Sequence, residues 1–186
     1  MSRIWWVRHG PTHAKTMVGW TDLPADLSNT DQVSRVAEAL PDAPILSSDL
    51  LRTRTTASAL QGARRRLPDD PNLREFHYGA WENQSFDAID SPGCRTFFER
   101  PGAHKAPGGE SWDDVTARVN AARDRLLRDH AEIIVVAHMG VILTQWAQAC
   151  DLAPYDALAQ PIDPLSITCT IWDGQRFHGD FANHHP

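Results

Sequence analysis

The sequence predicts an α/β protein, a three-layer α/β/α sandwich built on a mostly parallel sheet. Three observations carry this expectation. Short apolar runs at residues 4–7, 45–46 and 133–137 read as buried strands, since parallel strands covered on both faces are near-continuously apolar. Segments with apolar residues at three- and four-residue spacing separate them, as βαβ units require. Charge then collects where these runs end: Arg8-His9-Gly10 after the first, Arg52 just inside the helix after the second, and His138 after the third. Ligands of open α/β sheets bind beyond the carboxyl ends of strands, so those side chains are placed to meet around one ligand.

Taken in order, the first run leads into a polar loop over residues 11–24. A helix follows to about Leu40, with Val33, Val36, Ala37 and Leu40 at helical spacing. After Pro41 and Pro44, Ile45-Leu46-Ser47-Ser48 reads as a short strand. The segment from Asp49 reads as a helix that ends near Gln61-Gly62. Arg64-Arg65-Arg66 is expected to be a solvated helix end, where cations suit the helix dipole. Residues 68–110 lose periodicity and gather aromatics, so they are read as an excursion, or lid, over the top of one domain spanning 1–186. Ser111, followed by Asp113 and Asp114, is the expected N-cap of a long helix with Val115, Val119, Ala122, Leu126 and Leu127 on one face. After the strand at 133–137, residues 141–150 form an apolar helix. Leu165 to Trp172 and Arg176 to Phe181, joined at Asp173-Gly174, form a hairpin that adds an antiparallel edge strand.

Composition narrows the function. The 186 residues are 41% hydrophobic and 23% charged, with a net charge of -6; this argues against general binding to nucleic acid or to an anionic membrane. A local arginine cluster in an acidic protein still suits a small anion. The chain enters a strand-like run at once, with no signal peptide or spanning segment expected. Cys94, Cys150 and Cys169 are an odd set without CxxC spacing, read as reduced thiols of a cytoplasmic protein. His178, His184 and His185 lack metal-ligand spacing and are read as a tail. No cofactor or metal is expected, and no oligomeric state is predicted.

Two arginines and two histidines around one tetrahedral anion suit phosphoryl transfer, in which positioning and stabilisation of oxygen charge do most of the work. Guanidinium groups bind two oxygens at once. A neutral imidazole nitrogen is a competent nucleophile when its other nitrogen is held. The leaving alkoxide needs a proton from a carboxylic acid. Glu75 is the candidate, with Asp49, Glu82 and Glu110 as competitors. Arg52 also has Asp49 three residues before it as an alternative partner.

Five blocks together resemble the histidine phosphatase superfamily, the phosphoglycerate-mutase-like group. They are Arg8-His9-Gly10, Ser47-Ser48-Asp49-Leu50-Leu51-Arg52-Thr53, Leu73-Arg74-Glu75 with Gly79-Ala80-Trp81-Glu82, Pro107-Gly108-Gly109-Glu110-Ser111, and Val136-Ala137-His138-Met139-Gly140. The resemblance implies that His9 is phosphorylated, that Arg8, Arg52 and His138 form the phosphate pocket, and that Glu75 is the proton donor, with no metal required. Gly10, Thr12, Lys15, Trp20 and Gly140 are the candidate substrate-binding residues. The chain departs from the pattern at Pro11, at Lys15 in place of a frequent asparagine, at Met139 in place of a frequent glycine, and at Asn83. The implied activity is hydrolysis of a small phosphorylated metabolite. A phosphomutase and a non-catalytic phospholigand-binding module are the alternatives; the short segment between Arg74 and Ser111 favours hydrolysis.

Overall fold

The computed structural model describes residues 1–186. One sheet holds β1 (Ser2–Arg8), β2 (Ile45–Ser47), β3 (Glu132–Ala137), β4 (Ile167–Trp172) and β5 (Phe177–His184), in the order β2-β3-β1-β4-β5. β2, β3 and β1 run parallel, β4 is antiparallel to β1, and β5 is antiparallel to β4. Four strands therefore point one way, with β4 alone reversed. The expected terminal hairpin forms, but its antiparallel strand, β4, is inserted directly beside β1 and β5 takes the edge.

The helices are α1 (Thr30–Ala39), α2 (Leu51–Gln61), α3 (Phe86–Ile89), α4 (Pro92–Glu99), α5 (Trp112–Asp129), α6 (Met139–Ala149) and α7 (Pro154–Ala157). Alternating strand residues feed two cores, one on each face of the sheet. Ile4, Trp6, Ile133 and Val135 pack with Val115, Val119, Val141 and Ile142 of α5 and α6. Val7, Ile45, Ile134 and Val136 pack with Val36, Ala57 and Leu60 of α1 and α2. α5 starts at the expected place: the Ser111 side chain accepts from Asp114 N, and the Asp114 carboxylate accepts from Ser111 N.

The excursion is more ordered than its lost periodicity suggests. It contains single 3₁₀ turns at Pro71–Leu73 and Gly79–Trp81, then α3 capped by Ser85 and α4 capped by Ser91. Elements of three to eight residues are too short to display a period. Phe76, Trp81, Ile89, Cys94 and Phe97 from this segment are buried in the same core as Ile4 and Trp6. The segment is thus anchored in the main core at several points.

Two further expectations are corrected. The Arg64–Arg66 run is not a solvated end: Arg64 donates to the carbonyls of Ala37, Leu40, Pro41 and Leu60, and Arg66 donates to Ser47 Oγ and Asp69. Arg64 ties the end of α1 to α2, Arg66 ties the segment after α2 to β2, and only Arg65 is exposed. His178 and His184 belong to β5 and His185 pairs with Asp163 (3.1 Å), so they are an edge strand and its anchor, not a tail. No helix is long and apolar enough to cross a membrane.

Because Phe97 sits in the main core against Phe76 and Trp81, Phe97→Ala should lower global stability by about 3 kcal/mol. Urea unfolding followed by tryptophan fluorescence checks this. An unchanged midpoint would mean that the excursion is a separable lid.

Candidate active site

The site is assembled by strand register. β1 and β3 pair in parallel with Arg8 opposite Ala137, so the next residues, His9 and His138, leave adjacent strands side by side. His9 N donates to Ala137 O (3.1 Å), and Ser48 N, one strand further, donates to Val136 O (3.2 Å). The carboxyl edge of three neighbouring strands thus presents Ser48, His138 and His9 in a row. The two imidazole centroids are 5.2 Å apart.

His9 is almost fully buried. Its Nδ1 lies 2.7 Å from Gly10 O; a carbonyl can only accept, so Nδ1 carries the proton and Nε2 keeps its lone pair. Arg52 Nε donates to that lone pair at 3.2 Å. Burial, with Arg52 and Arg8 adding to it against the Gly10 bond, holds the His9 pKa down at about 3. The imidazole is neutral at physiological pH. His138 is driven well below its ordinary range by burial first and by the charge of Arg52 second. Its Nε2 shares a 2.8 Å hydrogen bond with Ser48 Oγ, while its Nδ1 is buried without a partner.

Arg8 and Arg52 are both held by neutral carbonyls. Arg8 Nη1 donates to Ile162 O (2.5 Å), and its Nε is buried without a partner. Arg52 donates to Thr21 O (3.0 Å) and Gly19 O (2.6 Å). Neither guanidinium forms an ion pair with a carboxylate. The alternative partner for Arg52, Asp49, is taken by Arg74 through bonds of 2.7 and 2.6 Å. Two positive charges are therefore fixed beside a neutral imidazole with no counter-charge in contact.

Glu75 completes the cluster. Its carboxyl accepts from Phe76 N (3.0 Å) and Gly140 N (3.1 Å). Burial raises its pKa, and this outweighs the opposing pull of those bonds and of Arg52 and Arg8. The competing acids are engaged elsewhere. Asp49 holds Arg74; Glu110 holds Arg118 (2.8 Å) and His77 N; Glu82 gathers the backbone N–H groups of Gly19, Trp20 and Thr21. Only glycine fits at 140, where a Cβ would collide with Glu75 Oε1 and the Phe76 ring.

The remaining candidates divide. Gly10 N donates to Thr56 Oγ1 (3.0 Å) within the cluster. Trp20 Nε1 donates to Glu75 O (2.8 Å), so this side chain pins the acid's backbone and also stacks under Arg74. Thr12 and Lys15 lie on the loop after Gly10; Thr12 Oγ1 accepts only a long bond from Ala14 N, and Lys15 is exposed without an ion pair. Sequence reasoning missed three supports. Ser48 bonds His138; Glu82 shapes the loop whose carbonyls hold Arg52; Arg118 donates to the carbonyls of Asn72, Arg74 and Glu75. Ser48 and Glu82 stand inside quoted blocks, but Arg118 leaves no sequence signal beyond its place on a helix. No group of three or more His, Cys, Asp or Glu side chains is arranged to hold a metal ion.

The model of the histidine phosphatase superfamily (branch 1) matches residues 4–184. The probable phosphoglycerate mutase GpmB of Salmonella paratyphi C is 30% identical over 132 residues, covering 66% of this chain and 61% of that protein. The chain thus spans about three fifths of that relative's length. Among solved structures, Bacillus stearothermophilus YhfR superposes with a TM-score of 0.87 at 26% identity, covering 100% of this chain and 99% of that one. A mycobacterial glucosyl-3-phosphoglycerate phosphatase superposes with a TM-score of 0.84 at 26% identity, covering 100% of both chains.

The depressed His9 pKa has a stability consequence. Between pH 6.5 and about 3 the unfolded chain binds a proton on His9 that the folded chain does not; folding therefore weakens as pH falls through that window, by up to about 1.4 kcal/mol per pH unit from this group. His9→Asn should show a correspondingly shallower loss in urea titrations from pH 6.5 to 4. Equal slopes would mean that His9 titrates normally when folded.

Proposed function

The chain belongs to the histidine phosphatase superfamily, and from that premise we propose that it is a metal-independent phosphomonoesterase that works through a phosphohistidine on His9. One observation carries the reading. A neutral imidazole, its Nε2 lone pair fixed by the Gly10 carbonyl, faces two guanidinium groups that no carboxylate neutralises. That arrangement attracts a dianionic phosphoryl group and offers it a nucleophile.

The steps follow from the same geometry. Oxygens of the ester are received by Arg8, Arg52 and His138, whose buried Arg8 Nε and His138 Nδ1 have no protein partner. The Arg52–His9 bond gives way as the phosphorus approaches Nε2. The P–N bond forms as the P–O bond to the alcohol breaks, and charge on the equatorial oxygens is met by the guanidinium groups. Glu75, whose pKa burial raises, gives its proton to the departing oxygen. The resulting carboxylate then takes a proton from water as water attacks the phosphohistidine, which releases phosphate and restores His9 and protonated Glu75. Raising the pKa of Glu75 toward the working pH is what lets one group act in both directions.

Phosphate release from a panel of monoesters, with a chelator present throughout, tests the reading. His9→Ala should abolish turnover while circular dichroism stays native; near-native activity would remove His9 as the nucleophile. Glu75→Gln should slow unactivated alkyl esters by about 10²- to 10⁴-fold and p-nitrophenyl phosphate far less, since a good leaving group needs no proton. Equal losses would argue against the acid role. Interconversion of phosphoglycerate isomers without phosphate release would replace the phosphatase by a phosphomutase.

A further inference from the structure

Glu82 gathers five hydrogen-bond donors that the chemistry at His9 does not use. Its Oε1 accepts from Trp20 N (2.8 Å) and Tyr78 N (3.2 Å). Its Oε2 accepts from Gly19 N (3.1 Å), Thr21 N (3.2 Å) and Thr21 Oγ1 (2.7 Å). Successive backbone N–H groups around an anion form a nest, and this anion has no cation as partner. Burial pulls the Glu82 pKa up, but the bonds from Thr21, Trp20 and Gly19 outweigh it and hold the group below the ordinary carboxylate range.

The far side of the same loop faces the phosphoryl site. The peptide unit between Gly19 and Trp20 gives its N–H to Glu82 and its carbonyl to Arg52 Nη2 (2.6 Å). The Thr21 carbonyl accepts from Arg52 Nη1 (3.0 Å). One planar peptide thus lies between a carboxylate and a guanidinium, its positive end toward the first and its negative end toward the second. A direct ion pair would cancel charge that a phosphoryl group needs; the intervening peptide orients the cation without contact between the charges. Of the five N–H donors of a guanidinium, Gly19 O, Thr21 O and His9 Nε2 take three. One on each terminal nitrogen is left for phosphoryl oxygens. The loop has little slack: a Cβ on Gly19 would collide with Phe76 O and Glu82 Oε1. Asn83, where the family pattern frequently has glycine, keeps a left-handed φ of 62° and adds a bond from Nδ2 to Thr21 Oγ1 (3.1 Å).

We propose that Glu82 is a positioning residue for phosphoryl binding: through the Gly19–Trp20 peptide its carboxylate aims the carbonyls that seat Arg52, and so sets where that guanidinium meets the phosphoryl oxygens. The inference rests on the phosphatase reading. Glu82 stands behind Arg52, so its loss acts on phosphoryl binding and not on proton transfer to the leaving group.

A double-mutant cycle with Arg52 tests this. Glu82→Gln keeps the side chain's size but turns an amide N–H toward the donors of the nest. It should lower kcat/KM for p-nitrophenyl phosphate by about 10- to 100-fold and weaken inhibition by inorganic phosphate to a similar extent. On an Arg52→Ala background the same substitution should cost less than about twofold. The rate ratio of p-nitrophenyl to butyl phosphate should stay at its wild-type value, whereas Glu75→Gln raises it. Thr21→Val, which removes one bond to Glu82 and spares the loop backbone, should lose about two- to tenfold with the same dependence on Arg52; it carries the test if Glu82→Gln does not fold. The Arg52 Nε–H NMR signal, identified by its absence in Arg52→Lys, should shift in both variants of the loop. An undiminished loss on the Arg52→Ala background, or wild-type phosphate inhibition with an unmoved Arg52 signal, would overturn the inference. Phosphate release by the wild type leaves the phosphatase reading standing whichever way the cycle falls. No release from any ester would overturn that reading, and the Arg52 signal would still decide whether Glu82 seats the guanidinium.

Discussion

Everything at the site depends on the register between β1 and β3. Parallel pairing with Arg8 opposite Ala137 sets two histidines side by side at one sheet edge, and β2 adds Ser48 on the same line. A slip of one residue would send every strand side chain to the opposite face. The register is pinned from both sides: Ile4, Trp6, Ile133 and Val135 are committed to one core, and Val7, Ile134 and Val136 to the other. β4 adds a third restraint through the hydrogen bond from Trp6 Nε1 to Thr170 Oγ1 (2.9 Å). Packing of the sheet and placement of the chemistry are therefore one constraint.

Burial then sets the protonation states. Taking a group out of water disfavours its charged form, so the same low-dielectric cluster makes two histidines neutral and raises the pKa of one glutamate. Arginine alone keeps its charge under these conditions, and both arginines lean on carbonyl oxygens instead of carboxylates. Their charge is held in place without being cancelled. Asp49 and Glu110 are taken up by Arg74 and Arg118, so neither pairs with the arginines of the site. Leu165, held at a left-handed φ of 62° and donating its N–H to Arg8 O (3.0 Å), shows that the turn beneath Arg8 is kept under local strain.

Much of this was legible in the sequence, for identifiable reasons. Ile133-Ile134-Val135-Val136-Ala137 could be little else than a strand covered on both faces, and Ser111 with Asp114 announced its own helix. The residues proposed for the site could be picked out for similar reasons: His9, Arg52 and His138 fall just after strands, and Glu75 stands where the excursion over those strand ends begins. What was hidden depends on contacts distant in sequence. Arg64 looked solvated because nothing local shows the four carbonyls that wrap it. α3 and α4 are shorter than a helical period can reveal. Glu75 was already the candidate acid; that Asp49, Glu82 and Glu110 are engaged elsewhere depends on where Arg74, the loop at Gly19 and Arg118 lie. The hairpin was visible, but insertion of β4 beside β1 is a matter of which edge the chain returns to.

The central claim is that His9 Nε2 attacks phosphorus. It is tested most directly by mixing the enzyme with ³²P-labelled p-nitrophenyl phosphate, quenching in alkali within milliseconds, and mapping the labelled peptide. The account predicts an acid-labile, alkali-stable label on the peptide containing His9, absent from His9→Ala and longer-lived in Glu75→Gln. Phosphate release with no labelled protein intermediate, or a label carried by another residue, would contradict it.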